Sequence, residues 1–300
     1  MATAFVFPGQ GSQYVGMGKD LYQEVPEARS MFAKADAILG IPLSRVCFDG
    51  PDEELKQTEN TQPAIFLHSV ILATLVKSRP SMAAGHSLGE YSALVVAGAL
   101  SFEDGLRLVR LRGELMQQAG VEQPGTMAAV VGLEPAEVTA LCAHASTAGV
   151  VQPANFNSPG QIVISGSVSG VRAAMDLAKA RGARLVKELP VSGAFHSPLM
   201  ESARAGLKAA LERTEIRDAA LPVYANVTAR PVQQSAEIRD LLVRQLTSPV
   251  RWEESVMNMV AAGATEFVEV GPGKVLQGLV KRINASANVR GIDKKSDVPA

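Results

Sequence analysis

The chain has 300 residues, 47% of them hydrophobic and 20% charged, which is enough to bury a substantial core as one large domain or two smaller ones. Lys and Arg total 29 against 30 for Asp and Glu, so no global field draws it toward nucleic acid or an anionic membrane, and any charged partner is met locally. The two cysteines, Cys47 and Cys142, lie far apart without CxxC or Cys/His spacing, which argues against a disulfide framework or a metal site and fits a reducing cytosol.

The opening TAFVFPGQGSQ reads as a β-rich run that stops at Pro8 and Gly9, the pattern of a strand leading into a functional loop. Its first residues lack the basic region and apolar stretch of a signal peptide. The most apolar segment, Ala64 to Val76, contains His68 and is too short to span a bilayer, so a soluble, cytoplasmic protein without membrane contact is expected. No Gly-Lys-Ser/Thr follows Pro8–Gln13 and its glycines do not match G-x-G-x-x-G, which rejects a nucleotide loop. Gln10, between two glycines, either brings an amide to an active centre or simply makes a tight turn. Gln62 to Lys77 is expected as a buried helix. SMAAGHSLGEYSALVVAGAL follows as strand, Gly-flanked turn and helix, and Ser101 opens a further helix with Asp104 as its capping partner.

From Thr126 to Leu189 the rhythm changes to strand, helix, strand, strand, helix, strand. That βαββαβ order is ferredoxin-like, so an α/β architecture is expected in which residues 125–190 form a small domain inserted in a larger body, residues 1–124 and 191–300. The body resumes with a helix from Ser197 to about Leu211, a strand at PVYANV, helices at EIRDLLVRQL and Trp252–Ala262, and a strand at EFVEV. The tail beyond about Asn284 reads as loosely held.

Gly85-His86-Ser87-Leu88-Gly89 matches G-x-S-x-G, a sharp strand-to-helix turn that exposes Oγ at a helix N-terminus and aims the Leu88 amide at a developing oxyanion. Ser87 is the expected nucleophile. A serine needs a base, and four histidines are available. His68 lies in an apolar helix, His144 belongs to the insert, and His86 should leave the turn in another direction. His196, before a Ser-Pro helix start, is the best placed, although a loop histidine can equally serve as a cap. On the helix SFEDGLRLVRLRGELMQQA, Arg107 and Arg110 have Glu103 and Glu114 at four-residue spacing and read as solvated. Arg112 falls inside the apolar stripe and needs an anion there, either a carboxylate of the fold or that of a ligand such as a malonyl group.

FVFPGQGSQ at residues 5 to 13, TQPA, GHSLGEYSALV, NFNSPGQIVISG, FHSPLM, RQLTSPVRW and EVGPGKVLQGL at residues 269 to 279 together resemble the malonyl-CoA:acyl carrier protein transacylases and the related acyltransferase domains of polyketide synthases. The resemblance covers nearly the whole chain. It implies an α/β-hydrolase-like large domain with an inserted ferredoxin-like small domain. It implies Ser87 as nucleophile and His196 as base, the histidine being oriented by a backbone carbonyl at Gln245. Gln10 and Leu88 would supply oxyanion amides, Arg112 would hold the malonyl carboxylate, and Gln62 and Asn155 would line the pocket. Malonyl-CoA and acyl carrier protein are the implied partners, with malonyl-CoA a substrate and no cofactor; the cysteine spacing gives no metal site, and a compact chain without a long exposed apolar stripe is expected to be a monomer. The stretch Gly193-Ala194-Phe195-His196 looks like the malonyl-selective polyketide enzymes, so Phe195 should crowd the α-carbon of the acyl group, and the pathway, fatty acid or polyketide, stays open. Arg181, Arg184 and Lys187 are candidates for docking an acidic carrier protein. A serine esterase, a silent scaffold and a malonate decarboxylase subunit are the rival readings.

Overall fold

The computed structural model of the chain describes residues 2–299. After β1 (Ala2–Phe7) come four helices, α1 (Lys19–Glu24), α2 (Pro26–Leu39), α3 (Leu43–Asp49) and α4 (Asp52–Lys56). The central helix α5 (Thr58–Leu75) starts at Thr58 rather than at the expected Gln62, because Pro63 lies inside it instead of opening it. Proline offers no N–H to the carbonyl four residues back, and that carbonyl, of Glu59, accepts from Arg110 Nη1 at 3.0 Å. β2 (Met82–Gly85), α6 (Gly89–Val96) and α7 (Phe102–Glu122) follow, with Ser101 Oγ accepting from the Asp104 amide at 3.0 Å to cap α7.

The next stretch has the βαββαβ order read from the sequence: β3 (Gly125–Val131), α8 (Pro135–Ala145), β4 (Val151–Ser158), β5 (Gln161–Ser167), α9 (Val168–Ala180) and β6 (Leu185–Glu188). These strands form an antiparallel sheet in the order β6-β3-β5-β4, and α8 and α9 cover one face through Val138, Leu141, Val171 and Ala174. This is the ferredoxin-like arrangement.

The helix expected from Ser197 divides in two. Ser197 Oγ accepts from the Leu199 amide at 3.3 Å and caps only a short 3-10 turn, Pro198–Met200, after which α10 (Glu201–Arg213) begins. Then come β7 (Val223–Tyr224), β8 (Pro231–Val232), α11 (Ser235–Gln245), β9 (Val250–Arg251), α12 (Trp252–Ala261), β10 (Ala264–Val270), α13 (Val275–Ile283) and β11 (Asn288–Ile292).

The body's sheet runs β11-β10-β1-β2-β7-β8 and is parallel except at its β8 edge. Alternation along β1 sends Phe5 and Phe7 into the core shared with α5 and α7, and Ala4 and Val6 into the core shared with α12 and α13. Helices therefore cover both faces, which makes the body α/β-hydrolase-like. One strand joins the two sheets, since β9 pairs parallel with β4 at Asn155 and Val250.

The tail is not loosely held. β11 pairs with β10, Ile292 is 0% exposed, and Arg290 Nε reaches Glu266 Oε1 at 3.0 Å. A short edge strand containing Arg290 and Gly291 leaves little hydrophobic periodicity to read. No helix among the described residues is long and apolar enough to cross a membrane, and both cysteines are free and buried.

Candidate active site

Parallel strands deliver their functional groups at their carboxyl ends. Here β1 leads to Gln10, β2 to Ser87 and β7 to Asn226. Ser87 has φ 51°, a left-handed conformation that costs about 1–2 kcal/mol for a non-glycine residue and needs bracing. Asn226 Oδ1 accepts from the Ser87 amide at 2.7 Å, and Gln245 Nε2 donates to the Ser87 carbonyl at 3.0 Å. Both flanking glycines are required by close approach: a Cβ on Gly85 would overlap the backbone of Gly89, and one on Gly89 would overlap the carbonyl of Phe7.

His196, also with positive φ at 58°, comes from the loop before the 3-10 turn and is 3% exposed. Its Nε2 lies 2.8 Å from Ser87 Oγ and its Nδ1 lies 2.9 Å from the carbonyl of Gln245. A carbonyl only accepts, so the proton resides on Nδ1 and the Nε2 lone pair is left to receive the serine proton. Burial, helped by the nearby Arg112 charge, pushes the imidazole down to about 3 and keeps it neutral at physiological pH.

Arg112 is 1% exposed, on the inner face of α7. Nη1 donates to Gln62 Oε1 at 2.7 Å, and Nη2 donates to Ser87 Oγ and to Gln245 Oε1, both at 3.0 Å. The guanidinium also lies over the Tyr91 ring, 5.7 Å from its centroid. No carboxylate among the described residues lies within 4.0 Å of it. Its neighbours are corrected in two respects. Arg107 pairs with Asp104 at 3.9 Å, because Glu103 is held by Lys34, and Arg110 is largely buried between Glu114, Glu59 and Asn60.

These groups face a cavity of ≈ 220 Å³ between the body and the small sheet. Gln10, Gln62, Leu88, Asn155 and Phe195 all line it. The backbone amides of Gln10 and Leu88 donate to no other group among the described residues, so both are free to meet an oxyanion. Gln245, expected only for its carbonyl, also places its side chain between Arg112 and the serine turn. Arg181, Arg184 and Lys187 lie exposed on and beside β6, outside the cavity lining. His68 is buried in α5 and His144 exposed on α8, as expected, whereas His86 does reach the cavity, with Nε2 2.9 Å from Asn157 Oδ1.

Sequence reasoning missed Asn226, Glu90, Asn157 and the wall formed by Val275, Leu276 and Leu279 of α13. A signal existed for Asn226: a polar residue directly after a strand of a parallel sheet stands where such sheets place their sites.

The acyl transferase domain family matches residues 4–298 of the chain. The malonyl CoA-acyl carrier protein transacylase of Bacillus subtilis (strain 168) is 49% identical, covering 94% of this chain and 90% of its own length. The enzyme of that name from Escherichia coli (strain K12) is 45% identical, covering 99% of this chain and 97% of its own. Among solved structures, a malonyl-CoA:acyl carrier protein transacylase from Xanthomonas oryzae pv. oryzae superposes with a TM-score of 0.95 at 46% identity, covering 99% of this chain and 97% of that one. A malonyl-transacylase solved in complex with a type II polyketide acyl-carrier protein does so with a TM-score of 0.95 at 42% identity, again covering 99% and 97%.

Proposed function

The chain belongs to the acyl transferase family that contains the malonyl CoA-acyl carrier protein transacylases, and on that premise we propose that it transfers a malonyl group from malonyl-CoA to the phosphopantetheine thiol of acyl carrier protein, for fatty acid or polyketide synthesis. The observation that carries this reading is the position of Ser87 Oγ, 2.8 Å from a neutral imidazole and 3.0 Å from a buried guanidinium without a carboxylate partner. An acyl chain attacked by that oxygen and ending in a carboxylate one methylene beyond the carbonyl brings its charge to Arg112.

The reaction runs in two halves. His196 Nε2 takes the proton of Ser87 as Oγ bonds to the thioester carbon, and the oxygen that becomes negative is held by the amides of Gln10 and Leu88. The C–S bond then breaks, and coenzyme A leaves as a thiol with the proton from His196. In the second half the pantetheine thiol gives its proton to the same nitrogen, attacks the malonyl ester and releases Ser87, which takes the proton back. Gln245 orients His196 through its carbonyl, Gln62 helps aim Arg112, and Asn155 and Phe195 shape the acyl pocket. The four parts of the site, nucleophile, base, oxyanion amides and carboxylate clamp, all come from the chain, so this reaction calls for no metal or cofactor.

Residues 1–124 and 191–300 act as the catalytic body and residues 125–190 as an insert that closes the far side of the pocket. We further infer a cytoplasmic monomer without nucleic-acid or membrane contact; the near balance of charge supplies no global field for nucleic acid or an anionic membrane, and no helix among the described residues is long and apolar enough to cross one. Arg181, Arg184 and Lys187 offer exposed positive charge to an acidic carrier protein.

The test is transfer itself. Purified protein is incubated with malonyl-CoA and a carrier protein bearing its pantetheine arm, and the carrier is weighed by mass spectrometry. A malonyl mass gain on the carrier supports the reading. Release of free malonate with an unchanged carrier points to an esterase instead.

A further inference from the structure

Glu90, the second residue of α6, is 2% exposed, an unusual place for a carboxylate, and no Lys, Arg or His nitrogen among the described residues lies within 4.0 Å of it. Its Oε2 accepts from Gln245 Nε2 at 2.8 Å and from the Asn226 amide at 3.0 Å. The same Gln245 amide group presents its oxygen to Arg112 Nη2 at 3.0 Å, while the Gln245 backbone carbonyl accepts from His196 Nδ1 at 2.9 Å. From these contacts we propose that Glu90 is a positioning residue for acyl transfer, acting through the side chain of Gln245 to hold Arg112 where it discriminates malonyl from uncharged acyl groups.

The chemistry of the primary amide makes this link directional. The two ends of a glutamine amide are nearly the same size and opposite in hydrogen-bonding sense, so its orientation is fixed only by its neighbours. A guanidinium offers donors alone and cannot tolerate the NH₂ end facing it. Glu90 Oε2 accepts from both the Asn226 amide and the Gln245 NH₂, and so turns that NH₂ end toward itself. Glu90 on one side and Arg112 on the other therefore agree on one orientation of Gln245. With Glu90 gone, the NH₂ keeps only the Ser87 carbonyl, and Arg112 loses a fixed acceptor that helps set its Nη2 beside Oγ. Asn226, which holds the Ser87 amide, is tied to the same carboxylate, so one buried group joins the serine turn, the loop after β7 and the end of α11.

This inference rests on the malonyl-transfer reading, and its test compares two acyl donors on one protein. Rates of transfer from malonyl-CoA and from acetyl-CoA to the same carrier protein are measured for wild type, Glu90→Met, Glu90→Gln and the double variant Glu90→Met/Gln245→Met. Methionine fills the space of Glu90 without accepting a hydrogen bond. Glutamine can still accept through its own carbonyl oxygen. The malonyl-to-acetyl ratio of kcat/KM does not depend on how much protein is folded. It is expected to fall about tenfold or more in Glu90→Met, the scale of a hydrogen bond to a charged group, and to stay within about threefold of wild type in Glu90→Gln. Because both substitutions remove one relay, the double variant should show the ratio of Glu90→Met and no further loss. It also removes the Gln245 NH₂ that loses an acceptor in Glu90→Met, leaving only the Asn226 amide without one, so it gives a second reading of the same ratio should Glu90→Met fail to fold. An unchanged ratio with equal losses on both donors would reduce Glu90 to a structural residue and overturn the proposal, as would an independent further loss in the double variant. A wild type without malonyl preference contradicts the transfer reading itself, not the link between Glu90 and Gln245.

Discussion

Arg112 Nη2 lies 3.0 Å from Ser87 Oγ, so the group proposed to recognise the substrate's charge and the group proposed to attack its carbonyl are in direct contact. That closeness sets a ruler for the acyl chain. A carboxylate gripped by this guanidinium is separated from the attacked carbon by little more than a methylene, which fits malonyl and excludes long dicarboxylic chains.

Arg112→Ala should therefore lower kcat/KM for malonyl-CoA by about thirtyfold or more, since losing one partner of a buried charge pair costs roughly 2–5 kcal/mol. Transfer from acetyl-CoA should change by less than about fivefold, because acetyl brings no charge to the site. Steady-state rates on the two donors check this, and equal losses on both would remove Arg112 from substrate recognition.

The pH profile follows from the position of His196. Its folded value is depressed, first by burial and then by the Arg112 charge, so the ring stays neutral and able to accept a proton well below the ordinary histidine range near 6.5. The acid limb of kcat/KM for acetyl-CoA, which has no carboxylate of its own to titrate, should lie below pH 6. Removing the positive charge in Arg112→Met takes away one cause of the depression, so the limb should move upward. A limb at 6.5 in wild type, or a downward shift in the variant, contradicts this assignment.

Phe195 is 5% exposed, immediately before the proposed base, and lines the cavity. Phe195→Ser should open space beside the α-carbon and raise the methylmalonyl-to-malonyl ratio by about tenfold, the usual scale for one methyl group in a pocket. Competition between the two thioesters for a single carrier measures it. No change in the ratio would leave Phe195 as packing alone.

The C-terminal strand offers a prediction about stability. Ile292 is fully buried at the end of β11 and belongs to the main core, so Ile292→Ala should cost about 2–4 kcal/mol in urea unfolding. A loss below about 0.5 kcal/mol would mean that β11 adds little to the fold.

What could be read from the residues alone was the part carried by contiguous pattern. The strand, tight turn and helix around Ser87 announce themselves in one run, and the βαββαβ rhythm from Thr126 to Leu189 gives the topology of the small sheet. Arg112 stood out because a charge interrupted an apolar stripe. Asn226 and Glu90 did not, since one follows a strand of two residues and the other sits on a short helix where a glutamate reads as ordinary. Their importance comes from partners distant in sequence, Ser87 for Asn226 and Gln245 for Glu90. Pro63 misled the start of α5 because a proline near a helix N-terminus usually marks its first turn, whereas here the freed carbonyl found Arg110. The acyl pocket was legible through Gln62 and Phe195 of the body and Asn155 of the insert, whereas the wall supplied by α13 depends on how that helix packs against the small sheet.

The most direct test of the transfer mechanism is the intact mass of the enzyme after brief exposure to malonyl-CoA, followed by a chase with carrier protein bearing its pantetheine arm. One malonyl group should appear on the wild type, map to Ser87, be absent from Ser87→Ala and pass to the carrier during the chase. An adduct that survives in Ser87→Ala, or carrier loading without any enzyme adduct in a rapid-quench time course, would contradict the serine-linked transfer on which the whole account depends.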